Sequence, residues 1–124
     1  MCSNTARLLL VVDDDPGIRE SLADLLNDEG YVVMTAVNGQ DALTRLRASD
    51  NLPCVILLDL MMPVMSGAEF YDEMRNDPAL ADIPVVIISA DGNARRKVQS
   101  MGGEFIPKPV RIETVITAVE SHCD

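Results

Sequence analysis

Apolar residues along this chain follow two alternating patterns. Leu8-Leu9-Leu10-Val11-Val12, Val55-Ile56-Leu57-Leu58 and Val85-Val86-Ile87-Ile88 are unbroken runs with no polar position inside them. Runs this short, rich in leucine and β-branched residues, predict strands buried on both faces, as in a parallel sheet. Between the runs, apolar residues recur every three or four positions. The groups are Ile18, Leu22, Leu25 and Leu26; Ala42, Leu43 and Leu46; Ala68, Phe70, Tyr71 and Met74; and Ile112, Val115, Ile116 and Val119. That spacing predicts amphipathic helices. Tyr31 to Ala36 and Glu104-Phe105-Ile106 predict two further strands, and Pro84 joins the run that ends at Ser89. Ala94 to Met101 predicts a short helix rich in Arg and Lys.

Punctuation fits this alternation. Asp15 is placed to cap the first helix, with Pro16 at its first position and Gly30 at its end. Asn38-Gly39 reads as a turn, Pro53 breaks the chain before the third strand, and Asn76-Asp77-Pro78 stops the third helix. Gly102-Gly103 closes the basic helix. No linker, repeat or low-complexity tract interrupts the series. Five strand–helix units with short connections imply an α/β fold, a parallel sheet with helices on both faces. The length fits one domain over 1–124, with its core over about 7–120.

Composition narrows the function classes. The formal net charge is −10, which disfavours direct binding to nucleic acid or to an anionic membrane. Three cysteines, Cys2, Cys54 and Cys123, show no paired spacing. They support neither a disulfide framework nor a zinc site, and Cys54 reads as a small buried apolar side chain. The N-terminal apolar run is too short for a signal peptide, and no segment is long enough to span a bilayer. A cytoplasmic location is expected.

The candidate chemistry lies where the strands end. The first run stops on Asp13-Asp14-Asp15 and the third strand on Asp59. In an open α/β sheet the carboxyl ends of the strands gather at the ligand-binding edge. Asp13, Asp14, Asp59, Ser89 and Lys108 are therefore expected around one cleft. Converging carboxylates repel one another unless a cation or a proton compensates. Carboxylates with no histidine or cysteine beside them suit a hard cation, Mg²⁺ first and Mn²⁺ as a substitute. A lysine ammonium and a serine hydroxyl supply what a phosphoryl group needs, and an aspartate is able to accept one.

These segments together resemble the receiver domain of the two-component response regulator family. The resemblance runs from Leu8 to about Val119. It is carried by Val11-Val12-Asp13-Asp14-Asp15, Leu58-Asp59-Leu60-Met61-Met62-Pro63 with Gly67, Ile87-Ile88-Ser89-Ala90, and Phe105 with Pro107-Lys108-Pro109. Each motif is weak alone; the four in this order and spacing are specific. The resemblance implies a flavodoxin-like (βα)5 fold with strand order 2-1-3-4-5. It implies Asp59 as phosphoacceptor and Mg²⁺ held by Asp13, Asp14, Asp59 and the Met61 carbonyl. Ser89 and Lys108 would grip the phosphoryl group, and Phe105 would turn inward as the aromatic switch. A cis Lys108–Pro109 bond comes with the family. Met61 and Asp91 would tune the phosphoryl lifetime.

The implied function is a phosphorylation-activated switch, not an enzyme, limited to phosphotransfer onto itself and slow autodephosphorylation. Its donor would be a sensor histidine kinase or a histidine phosphotransfer protein. Its output would pass through the fourth helix, fifth strand and last helix to a downstream protein or a separate effector domain, with a phosphorylation-linked homodimer compatible. Met1 and the short tail after Val119 favour a stand-alone receiver over a fragment. Taken singly, each residue has a plainer role: Asp13-Asp14 as a turn, Asp59 as a loop cap, Ser89 as a strand-end partner, Lys108 as surface, Phe105 as core. Arg95-Arg96-Lys97 reads as a solvated helix face or a docking patch. Two other functions remain: a receiver used only for docking or dimerisation, and a Mg²⁺ phosphatase with an aspartate nucleophile. The phosphatase wants a second acid two positions after Asp59, where Met61 stands.

Overall fold

The protein was analysed as a computed structural model, which describes residues 8–49, 51–59, 67–89, 104–107 and 111–122. The three unbroken apolar runs form β1 (Leu8–Val12), β3 (Val55–Asp59) and β4 (Val85–Ser89), and the two weaker ones form β2 (Val32–Ala36) and β5 (Glu104–Pro107). The described helices are α1 (Pro16–Asp28), α2 (Gly39–Ala48), α3 (Gly67–Arg75) and α4 (Ile112–His122). All strand pairs are parallel, in the order β2-β1-β3-β4-β5. The order reverses between β1 and β3, and helices cover both faces, as in the flavodoxin-like α/β fold. The expected helix over 94–101 lies outside the described residues.

Strand side chains alternate between two cores. Leu10, Val12, Ile56, Leu58, Val85 and Ile87 pack with Leu43 and Leu46 of α2 and Phe70 and Met74 of α3. Leu9, Val11, Val55, Leu57, Val86 and Ile88 pack with Leu22 and Leu26 of α1 and Val115 and Val119 of α4. This two-sided burial is why β1 is wholly apolar and β3 and β4 carry no polar residue before their last position. β2 is an edge strand, and its first residue, Val32, is 59% exposed.

Three local readings change. Tyr31 precedes β2: its N–H donates to Leu26 O at 3.1 Å, so it belongs to the turn that ends α1. Gly30 makes that turn, with φ 97°, a conformation costly for residues bearing a Cβ. Asn38-Gly39 is a helix start. Asn38 Oδ1 accepts from Asp41 N at 2.8 Å, and Gly39 is already helical. Cys54 is half-buried and disulfide-bonded, its partner lying outside the described residues. An odd cysteine count excludes complete pairing, not a single bond.

Candidate phosphoryl and cation site

β1 and β3 are adjacent, with Val12 level with Leu58. The next residues, Asp13 and Asp59, therefore leave the sheet side by side at its carboxyl edge. Asp14 follows in the loop before α1. One carboxylate oxygen from each of Asp13, Asp14 and Asp59 lies within 4.8 Å of the others. Asp13 and Asp59 are 3% and 6% exposed, and Ser89, ending β4 one position past the level of Asp59, is 1% exposed. Among the described residues these three are the buried polar side chains. Asp14 faces solvent. A domain that buries polar side chains at one strand edge, and otherwise packs apolar ones, marks that edge for chemistry.

The donors fit a hard divalent cation. All three are carboxylates, two screened from water and one open to it, an arrangement that suits an ion retaining part of its water shell. No histidine or thiolate joins them among the described residues.

The start of α1 holds the site. Asp15 N donates to Asp13 Oδ1 at 2.9 Å, while the Asp15 carboxylate caps α1 by accepting from Gly17 N at 2.9 Å and Ile18 N at 3.3 Å. The cap expected from sequence is thus also tied to the acidic cluster through its backbone. Arg19, which the sequence did not single out, donates from Nη1 to the Asp13 carbonyl at 2.8 Å.

Asp41 at the start of α2 was also missed. Its Oδ2 accepts from Val37 N at 3.0 Å, and Arg45 Nε lies 3.2 Å from the same carboxylate. Burial pushes the Asp41 carboxyl up, but the Val37 N–H, the Arg45 hydrogen bond and charge, and the Arg19 charge together hold it below its ordinary value. The signal was present: Asn38 followed three residues later by an acid is a capping-box pattern.

Of the expected site residues, Asp13, Asp14 and Asp59 are brought together. Ser89 lies at the same edge, and Phe105 is half-buried in β5, level with Ile87 and packed on the α2/α3 core. Met61, Asp91 and Lys108 lie outside the described residues.

The response regulator receiver domain family matches residues 9–120. The chain is 37% identical over 105 residues to the response regulator Rre1 of Synechocystis, covering 82% of this chain and 45% of that protein. It is 32% identical over 118 residues to an uncharacterised 14.6 kDa protein of Leptolyngbya boryana, covering 93% and 88%. Among solved structures, the Thermotoga maritima response regulator TrrA in complex with Mg²⁺–BeF superimposes with TM-score 0.81 at 31% identity, over 93% of this chain and 97% of that one. Vibrio cholerae CheY4 gives TM-score 0.82 at 28% identity, over 93% and 97%. Several curated relatives are much longer; this chain spans 45% of Rre1 and 7% of a Dictyostelium hybrid histidine kinase.

Proposed function

This chain belongs to the response regulator receiver domain family, and from that premise we propose that it is a switch set by phosphorylation of Asp59. One observation carries the reading: Asp59 is a 6% exposed carboxylate ending a central strand, with the carboxylates of Asp13 and Asp14 within 4.8 Å. An Asp59 carboxylate oxygen attacks the phosphorus of a phosphohistidine. The P–N bond breaks, its electron pair stays on the imidazole, and an acyl phosphate forms on Asp59. Asp13, Asp14 and Asp59, with the Met61 carbonyl, would hold Mg²⁺ or Mn²⁺, which when bound would supply positive charge against the transferring group. Asp13, anchored through Oδ1 to Asp15 N, keeps one side of the site fixed.

Ser89 and Lys108 then hold the phosphoryl group from two sides, Phe105 turns inward as Ser89 shifts, and Met61 and Asp91 set its lifetime. Phe105 joins the site to the surface. With Glu104, Glu113 and Thr117 it lines an open groove of about 470 Å³ between β5 and α4, the side from which the signal leaves. A bias of a few kcal/mol suffices to make a minor conformer dominant. The donor is a sensor histidine kinase or histidine phosphotransfer protein, and the target a downstream protein or an effector domain. The whole of 1–124 is read as one receiver domain, working in the cytoplasm; no described helix is long and apolar enough to cross a membrane.

Incubation with Mg²⁺ and acetyl phosphate, followed by intact mass measurement, tests this reading. One added phosphoryl group, stable in acid and labile in base, is expected, and Asp59→Asn abolishes it. No adduct, or an adduct that survives Asp59→Asn, overturns the assignment. Steady turnover of phosphoesters points instead to a hydrolase.

A further inference from the structure

We propose that Arg19 is a positioning residue for the cation site, fixing the peptide that joins Asp13 to Asp14 and so setting divalent-cation affinity. This rests on the reading that those carboxylates hold the cation. Among the described residues, hydrogen bonds reach Asp13 at three atoms. Its N–H donates to Ala36 O at 3.2 Å, its Oδ1 accepts from Asp15 N at 2.9 Å, and its carbonyl accepts from Arg19 Nη1 at 2.8 Å. The first two bonds are made by backbone N–H groups, which side-chain substitution leaves in place. The third is a side-chain contact, and it falls on the one peptide plane shared by both acidic residues. The tilt of that plane sets how the Asp13 and Asp14 side chains diverge, and carboxylates presented to an ion are only as well placed as the backbone beneath them.

The guanidinium's choice of partner supports positioning over neutralisation. Arg19 is half-buried and close to a triad of carboxylates, yet its hydrogen bond goes to a neutral carbonyl. Among the described residues, none of the ion pairs within 4.0 Å joins Arg19 to a carboxylate. Its charge is felt at Asp41, on the α2 side. Arg19 thus acts on the backbone beneath the acidic cluster and not on its carboxylates.

The two roles predict opposite signs. As a fixed positive charge, Arg19 would repel a dication, and its removal would tighten binding. As a positioning residue, its removal loosens the Asp13–Asp14 peptide and weakens binding. Mg²⁺ titration by calorimetry is expected to show affinity about tenfold weaker in Arg19→Met than in wild type, the lower end of what support residues of metal ligands contribute. Arg19→Lys, which can still donate to the carbonyl, is expected to recover most of it. In metal-free buffer the Asp14 backbone amide should show faster motion by ¹⁵N relaxation in Arg19→Met than in wild type. Thermal melting in EDTA reports folding, and Arg19→Gln, polar and too short to reach, carries the same expectation should Arg19→Met not fold. Wild-type protein that binds no Mg²⁺ overturns the cation reading itself. Wild-type binding with unchanged or tighter binding in Arg19→Met and Arg19→Gln overturns the role of Arg19 and leaves the cation reading standing.

Discussion

Replacing Asp59 with asparagine should make the metal-free protein more stable while ending its chemistry. Asp13 and Asp59 are both buried, and their carboxylate oxygens lie within 4.8 Å. At the 4.8 Å limit, with an effective dielectric of about 20, Coulomb's law gives roughly 3.5 kcal/mol of repulsion between them. Asp14 is exposed and acts through water, so it adds little. Asparagine keeps the shape and one acceptor oxygen but weakens bonds made to a charged group, offsetting about 1.5–2 kcal/mol. A net gain of about 1.5–2 kcal/mol remains, enough to raise the urea midpoint in EDTA with no change of slope. Mg²⁺ then narrows the gap. At ten times its dissociation constant, binding stabilises wild type by about 1.4 kcal/mol, and the asparagine variant by much less. An Asp59→Asn midpoint at or below wild type in EDTA would refute the idea that these carboxylates strain the fold.

Two further outcomes follow from the caps. Asp15→Ala removes the acceptor for Gly17 N and Ile18 N but not the backbone bond to Asp13 Oδ1. Thermal unfolding should show a loss of about 1 kcal/mol; an unchanged melting curve would mean that the cap contributes nothing. Asp41, held below its ordinary value in the folded state, contributes stability that is complete above about pH 4, near its unfolded value. That contribution is lost as the pH falls through its folded value. The stability gap between wild type and Asp41→Asn should therefore be full at neutral pH and close below about pH 4; a gap that persists or widens in acid contradicts the sign.

The strands were legible because burial on both faces leaves no room for polar residues. Leu9 to Val12 and Val55 to Leu58 are at most 1% exposed, and the sequence shows it as uninterrupted apolar runs. The carboxylates were legible for the converse reason: an aspartate ending such a run is conspicuous. Contacts that cross this periodicity were not legible. Arg19 reaches back six positions to a backbone carbonyl, and no pattern of residue types records a bond to a carbonyl. Asn38-Gly39 has the composition of a turn, and the acid at Asp41, which turns it into a helix start, lies outside that dipeptide. Tyr31 has strand character, but Leu26 O claims its N–H. The strand order came with the family resemblance, since hydrophobic spacing does not say which strand lies beside which.

The segregation of buried polar groups bears on descent. Both cores are assembled from apolar contacts, while the buried polar side chains among the described residues sit at one edge of the sheet. The residues that hold the shape and those proposed to perform the transfer are thus largely different ones. On the proposed role of Asp59, a lineage carrying this fold can lose its chemistry through one substitution there, with the gain in stability predicted above. Shape will outlast signalling, and a descendant that superimposes on this protein has still to be asked which residue ends its third strand.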